Sequence, residues 1–225
     1  MKAIVKKNIE RPSAKWVEKF RQVPPSIVSD CLNRYYAMSA HIKPMIENSI
    51  VCGPALTIQS MAGNNLMSHL ALTFAKKGDV LVIDARSNMS NAVWGGIQAL
   101  FAKKQGVAGV VIDGVIRDVA EMREMRFPAY CRGVTPGGPH KGWADSINVP
   151  IQCGGVPVCP GDLILGGDDG IVVLPKEHLE AVYAEAQRRI RKEVEWIKEI
   201  EEGANSLDAT GLRATLEKMD IDYKE

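Results

Sequence analysis

Neither sign of charge is in surplus in this chain: 28 Lys and Arg face 27 Asp and Glu, for a net charge of +1. Without a basic field there is nothing to draw in nucleic acid or an anionic membrane surface, so neither is expected as a partner. Long apolar runs are missing too. No stretch approaches the ~20 apolar residues of a membrane span. The opening "MKAIVKKNIERPSAKW" has only a three-residue apolar run before Lys6 and Lys7, too short for the core of a secretory signal. Cysteine pairs are absent as well: Cys31, Cys52, Cys131, Cys153 and Cys159 are odd in number and widely spread, with neither CxxC nor a His-rich spacing. That excludes a disulfide framework and a zinc site, and makes the reducing cytoplasm the expected location.

What is present suits a globular protein with a full core, 225 residues of which 46% are hydrophobic and 24% charged. One domain with appendages is expected: an N-terminal helical arm over 1–24, a core over 25–175, and a C-terminal helix and tail over 176–225. Ser13 to Tyr36 reads as helical, broken at Pro24-Pro25, with Ser26 as the N-cap of the second piece. "IVCGPALTIQS", from Ile50 to Ser60, reads as a strand pair or bulged strand interrupted at Gly53-Pro54. "NNLMSHLALTFAKK" has helical spacing up to Gly78. "DVLVIDA", "AVWGGIQALFAKKQG" and "VAGVVIDG" then alternate strand, helix, strand, the pattern of an α/β core with buried parallel strands. Val119 to Met125 is a further helix. "VPIQCGGVPVCPGDLILGGDDGIVVLP" is β-rich with Pro-Gly-Asp and Asp-Asp-Gly turns, and Lys176 to Glu202 is one long charged helix stopped by Gly203, with a polar tail beyond.

Several catalytic signatures are absent. There is no G-x-G-x-x-G after a strand, no G-x-x-x-x-G-K-[ST] and no G-x-S-x-G, which removes dinucleotide, P-loop and nucleophile-elbow chemistry. The histidines at 41, 69, 140 and 178 fall in different elements. His69 reads as a packed or solvated helix residue, and only His140, in "TPGGPHKGW", stands in a loop able to border a pocket.

"VVIDGVIRDVAEMRE", from Val110 to Glu124, is different. A buried-looking strand ends at adjacent Arg117 and Asp118, where a helix begins. One reading is structural: Asp118 and Glu121 form a capping box, and Arg117 is a surface residue. The other is functional, because ligands of open α/β sheets gather at the carboxyl ends of strands beside helix N-termini. There an Arg offers a planar fork to a carboxylate and an Asp a hard oxygen to a divalent ion. "SNAVWGGIQAL" places Gly95 and Gly96 at a second helix start. Lack of side chains there lets a ligand approach the amides of Gly96, Ile97 and Gln98, although close helix packing needs small residues equally.

Gly96, twenty intervening residues and then Arg117-Asp118 resemble the glycine-X20-Arg-Asp motif of the RraA-like family. "KKGDVLVID", "AVWGG", "GVVIDGVIRD", the long β-rich stretch and the "RKE" of the last helix resemble the family pattern in the same order, over roughly Pro25 to Gly203. The resemblance implies an α/β fold, a swivelling β/β/α domain (an αββα sandwich) with a long C-terminal helix. It implies a homotrimer or dimer of trimers with active sites between subunits. It further implies a class II pyruvate aldolase that cleaves 4-hydroxy-2-oxo diacids of the 4-hydroxy-4-methyl-2-oxoglutarate type, with oxaloacetate decarboxylation as a side activity. Mg²⁺ or Mn²⁺ is the implied cofactor. Arg117 would grip the pyruvyl carboxylate, Asp118 would hold the metal, the glycines at 95 and 96 would let substrate reach the amides of Ile97 and Gln98, and Glu193 from a neighbouring subunit would reach the metal's waters. Several members carry an acidic residue where this chain has Gly96, so an outer carboxylate is missing here. The competing expectation is a non-catalytic regulator that binds an RNA-degrading endonuclease. Quinone methylation, a role attached by name to some relatives, has no glycine-rich nucleotide loop to support it.

Overall fold

A computed structural model describes residues 2–224. The chain opens with α1 (Ala14–Arg21) and α2 (Pro25–Cys31), followed by β1 (Lys43–Pro44), β2 (Val51–Gln59), α3 (Leu66–Leu72), β3 (Val80–Asn88), α4 (Gly96–Lys104), β4 (Gly109–Ile116) and α5 (Val119–Met125). It continues through β5 (Ala129–Cys131), β6 (Gly133–Val134), β7 (Ile151–Cys153), β8 (Val156–Val158), β9 (Leu163–Gly167) and β10 (Gly170–Leu174). A 3-10 turn (Lys176–His178) leads into α6 (Leu179–Glu201), and α7 (Ser206–Ala209) and α8 (Arg213–Leu216) follow.

The main sheet has the order β1-β5-β4-β3-β2-β9-β10, with β6 beside β4, and β7 and β8 pair separately. Its centre, β2 to β5, is parallel, and β9, β10 and β1 join antiparallel. The alternation of strand and helix from β2 to β5 therefore builds the parallel sheet expected of it. Side-chain period two splits the central strands between two apolar layers. Leu81 and Ile83 of β3 pack with Met67, Ala99 and Met122 of α3, α4 and α5. Val80 and Val82 face the other way, onto Ile151, Val156 and Val173. Coverage on both faces explains why β4 is buried at every position.

Three local expectations are corrected. Ser26 lies inside α2, whose N-cap is Pro24 and whose first residue is Pro25, because proline's fixed φ and missing amide suit a helix start. β2 is one continuous strand, not an interrupted one: Val51–Pro54 pair with β9 and Ala55–Gln59 with β3, so Gly53-Pro54 mark a change of neighbour. α3 stops at Leu72 rather than Gly78, where the Thr73 hydroxyl donates back to the Leu70 carbonyl at 2.7 Å. Within the polar tail, Asn205 caps α7 by accepting the Asp208 amide at 3.1 Å.

Two compact units divide the chain, one ending at Val182 and the other beginning at Tyr183. The N-terminal arm belongs to the first, where Arg11 makes a two-pronged ion pair with buried Asp79 at 2.7 and 2.8 Å. Most of α6 with α7 and α8 forms the second. No helix among the described residues is long and apolar enough to cross a membrane.

Candidate active site

Arg117 and Asp118 are the first residues to leave the sheet after β4. A short parallel ladder lays the segment before α4 along the end of that strand. The Val93 amide donates to the Val115 carbonyl at 3.1 Å, and the Arg117 amide to the Trp94 carbonyl at 3.0 Å. Buried Trp94 stacks on Phe127, with 6.3 Å between ring centroids, and anchors the ladder in the core. Gly95 and Gly96 therefore emerge directly beside the Arg-Asp pair.

The fit there is close. A Cβ on Gly95 would stand 2.5 Å from Asp118 Oδ2 and 3.2 Å from Arg117 Cγ. The Gly96 amide donates to Asp118 Oδ2 at 3.1 Å, and Arg117 Nε lies 3.5 Å from the same oxygen. The first amides of a helix have no intrahelical acceptor. With Gly96 engaged by Asp118, the Ile97 and Gln98 amides are the next donors at the positive end of α4.

The capping box is not formed. Asp118 takes a left-handed backbone conformation (φ 57°, ψ 39°), and its side chain makes no cap bond to α5. Its carboxylate turns instead to α4, where an unpaired amide and a helix dipole reward a negative charge. Glu121 also departs from its expected role: its carboxylate overlaps the place a Cβ on Gly96 would take. The absence of a side chain at position 96 is thus matched by a carboxylate delivered from α5.

Beside this junction lies a cavity of about 320 Å³, lined by Gly95, Ile97, Gln98, Arg117 and Asp118 among others. Gly96 is not in its wall, and Glu121 occupies the place a Cβ on Gly96 would take. The rest of the wall includes Asn65, His69 and Lys141. Asn65 Nδ2 lies 3.4 Å from His69 Nε2 and donates to Gln98 Oε1 at 3.3 Å, and Gln98 Nε2 donates to the Ser68 hydroxyl at 2.7 Å. Burial and the nearby Lys141 charge hold the His69 imidazole below its usual pKa. Two lining residues carry buried polar atoms without a protein partner, Asn65 Oδ1 and Trp94 Nε1, an uncommon state inside a protein.

The sequence offered His140 as a loop residue able to border a pocket and His69 as a packed or solvated helix residue, and the cavity wall holds His69 and not His140. His140 is used through its backbone, donating to the Gly63 carbonyl at 2.7 Å and accepting from the Asn65 amide at 3.1 Å. His69 borders the cavity instead, because the start of α3 packs against α4. Neither Asn65, His69 nor Lys141 carries a local signal of this. Glu193 stands exposed on α6, in the second compact unit.

The donor set bears on a metal. Among the described residues no three His, Cys, Asp or Glu side chains converge on an ion site. Asp118 and Glu121, both directed at the start of α4, are hard oxygen donors. Mg²⁺ commonly binds through one or two carboxylates, keeping several waters and taking further oxygens from substrate. This chain's residues fit such an ion, and do not fit a closed, all-protein cage.

Relatives share this architecture. A protein of Halalkalibacterium halodurans carrying the name "Putative 4-hydroxy-4-methyl-2-oxoglutarate aldolase" is 41% identical over 204 residues, 91% of this chain and 95% of that protein. Streptomyces coelicolor RraAS2, described as an unusual member of the RNase ES inhibitor RraA protein family, superposes with a TM-score of 0.76 at 28% identity, over 88% of this chain and all of that one. An uncharacterized protein of Pseudomonas syringae shares the fold at a TM-score of 0.81 and 23% identity, over 91% of this chain and 97% of its own. The family model described as Aldolase/RraA matches residues 26–173, the stretch that holds both β4 with its Arg-Asp pair and the Gly-Gly start of α4. The chain belongs to the RraA-like family.

Proposed function

We propose that the cavity is the active site of a divalent-metal-dependent pyruvate aldolase. It would cleave 4-hydroxy-2-oxo diacids to pyruvate and a second oxo compound, and decarboxylate oxaloacetate as a side activity. One observation carries the reading: a guanidinium, a carboxylate and the amide-bearing start of a helix converge on a cavity of about 320 Å³. The name of the Halalkalibacterium relative supports it.

Cleavage of the C3–C4 bond leaves its electron pair on the pyruvyl half, as an enolate with negative charge on the C2 oxygen. Arg117 would bind the pyruvyl carboxylate as a planar fork, and the Ile97 and Gln98 amides would donate to the same half, in place before charge develops. Asp118 is held by Gly96 through Oδ2 alone, which leaves Oδ1 for a cation. Mg²⁺ or Mn²⁺, held by Asp118 with Glu121 close by, would supply Lewis-acid stabilisation of that charge.

Glu193 of a neighbouring copy would complete the metal's surroundings in a trimer or dimer of trimers. Exposed apolar side chains on α3 and α4 support such an assembly: Leu66, Leu70, Leu100, Phe101 and Ile97, the last 80% exposed and in the cavity wall. A row of this kind on adjacent helices marks an interaction surface.

The test is pyruvate release from 4-hydroxy-4-methyl-2-oxoglutarate and from oxaloacetate, with Mg²⁺, with chelator, and in Arg117→Ala and Asp118→Ala. Turnover that needs the metal and both residues is expected. Metal-independent turnover, or variants as active as the parent, rejects the chemistry. Absence of turnover together with tight capture of an RNA-degrading endonuclease assigns the chain to non-catalytic regulation.

A further inference from the structure

The pyruvyl half uses only part of the cavity. A volume of about 320 Å³ falls within the roughly 300–1,000 Å³ of small-molecule sites, more than the six heavy atoms of a pyruvyl group fill. The remaining wall comes from α3 and from the loop that carries Lys141. That loop is tied down at three points: Asn91 Nδ2 donates to the Gly138 carbonyl at 2.9 Å, the His140 amide to Gly63, and the Asn65 amide back to His140. Gly138 itself abuts the Arg117 guanidinium, with Nη1 3.1 Å from where a Cβ would stand. The loop therefore runs from the pyruvyl end of the cavity to the start of α3 and carries its cation there.

His69 is oriented by a network that begins on α4. Gln98 is bonded to Ser68 and accepts from Asn65 Nδ2, which also faces His69 Nε2. With the amide as donor, Nε2 accepts, and the ring proton sits on Nδ1. A neutral imidazole that can donate one N–H thus stands beside an ammonium group, its protonation opposed first by burial and then by that charge. Neither group has a part in binding or cleaving the pyruvyl half.

We propose that His69 and Lys141 bind the far carboxylate of a 2-oxo diacid, Lys141 as the cation and His69 as a neutral N–H donor, and so set a preference for diacids over 2-oxo monoacids. The assignment rests on the reading that Arg117 and the α4 amides hold the pyruvyl end.

Nuclear magnetic resonance of the full chain, labelled at histidine rings and backbone amides, separates the two ideas. Mg²⁺ is present throughout, and the probes are pyruvate and 2-oxoglutarate. Both ligands are expected to shift the Ile97 and Gln98 amides, and only 2-oxoglutarate the His69 ring. Amides that respond while His69 ignores both ligands overturn this proposal and leave the aldolase reading standing. Amides silent to both reject the pyruvyl site and the proposal with it.

A kinetic arm reads the same preference as a ratio of kcat/KM for 4-hydroxy-2-oxoglutarate over 4-hydroxy-2-oxopentanoate. Loss of a charge-assisted hydrogen bond should lower that ratio roughly ten- to hundredfold in Lys141→Met, with much of it retained in Lys141→Arg. Equal losses on both substrates overturn the assignment.

Discussion

Gly96 donates its amide proton to Asp118 Oδ2 at 3.1 Å, across 22 positions of sequence. That bond joins the start of α4 to the end of β4, so a helix dipole and a carboxylate meet beside a guanidinium. The left-handed backbone of Asp118 makes it possible by turning the side chain away from its own helix. Asp is among the residues that adopt this conformation most readily.

Arg117→Ala and Asp118→Asn should each lower pyruvate release by about two to three powers of ten, the usual loss when one positioned charge is removed. Both side chains are partly exposed, so thermal unfolding should change little. Arg117→Lys should recover only part of the loss, because an ammonium cannot grip a carboxylate with two parallel bonds. Activity near the parent level in Arg117→Ala would refute the assigned role.

Gly95→Ala places a methyl group 2.5 Å from Asp118 Oδ2. Displacing that carboxylate by about 1 Å should cost roughly a hundredfold in turnover. The backbone at Gly95 is extended, so the fold should tolerate alanine, and a circular dichroism melt close to the parent's checks this. Gly96→Asp collides with Glu121 instead, and Glu121→Ala should relieve that collision. A double variant no more active than Gly96→Asp alone would show that the two positions do not share one space.

Arg11→Ala leaves the Asp79 carboxylate buried without its two-pronged partner. Breaking a buried pair from one side costs about 3 to 5 kcal/mol, read as a lower urea midpoint at unchanged slope. A change under ~1 kcal/mol would mean that the arm contributes little to the core.

Burial raises the Asp84 carboxyl above its usual range, opposed by the Arg86 amide and guanidinium. A carboxyl with a higher pKa folded than unfolded binds its proton more tightly in the native state. Its stabilising contribution is complete below the unfolded value, about 3.9, and is lost as pH rises through the folded value. Asp84→Asn should therefore gain on the parent in urea midpoint between pH 4 and pH 7, and a difference independent of pH would contradict this.

Thiol reactivity offers a check on the core. Burial pushes Cys52 up to about 11, Cys131 up to about 12, and Cys153 upward also. Cys159 is exposed and Cys31 half-buried. A chromogenic disulfide reagent at pH 8 should label Cys159 first and Cys31 more slowly, with the other three appearing only on unfolding. Fast labelling of Cys131 or Cys153 would contradict the packing of the sheet.

Much of this was legible in the chain itself. Short apolar runs alternating with helix-like stretches marked β3, α4, β4 and α5, because such a pattern is carried by residues that are neighbours in sequence. The Arg117-Asp118 pair stood out for the same reason, as two charges closing an apolar strand. Position 26 misled because proline's local geometry outranks a serine cap, and the expected break in β2 misled because a strand can change partners without ending.

Sequence alone settled the parallel α/β order of strands and helices and the identity of the charged pair, since both follow from local pattern. Only the tertiary structure decided that Asp118 bonds to α4 rather than capping α5, that Glu121 fills the space above Gly96, and that His69 rather than His140 borders the cavity. Those outcomes depend on which helix start packs beside which strand end. Such contacts join residues 20 or more positions apart, and their energies are set by the neighbour that folding supplies.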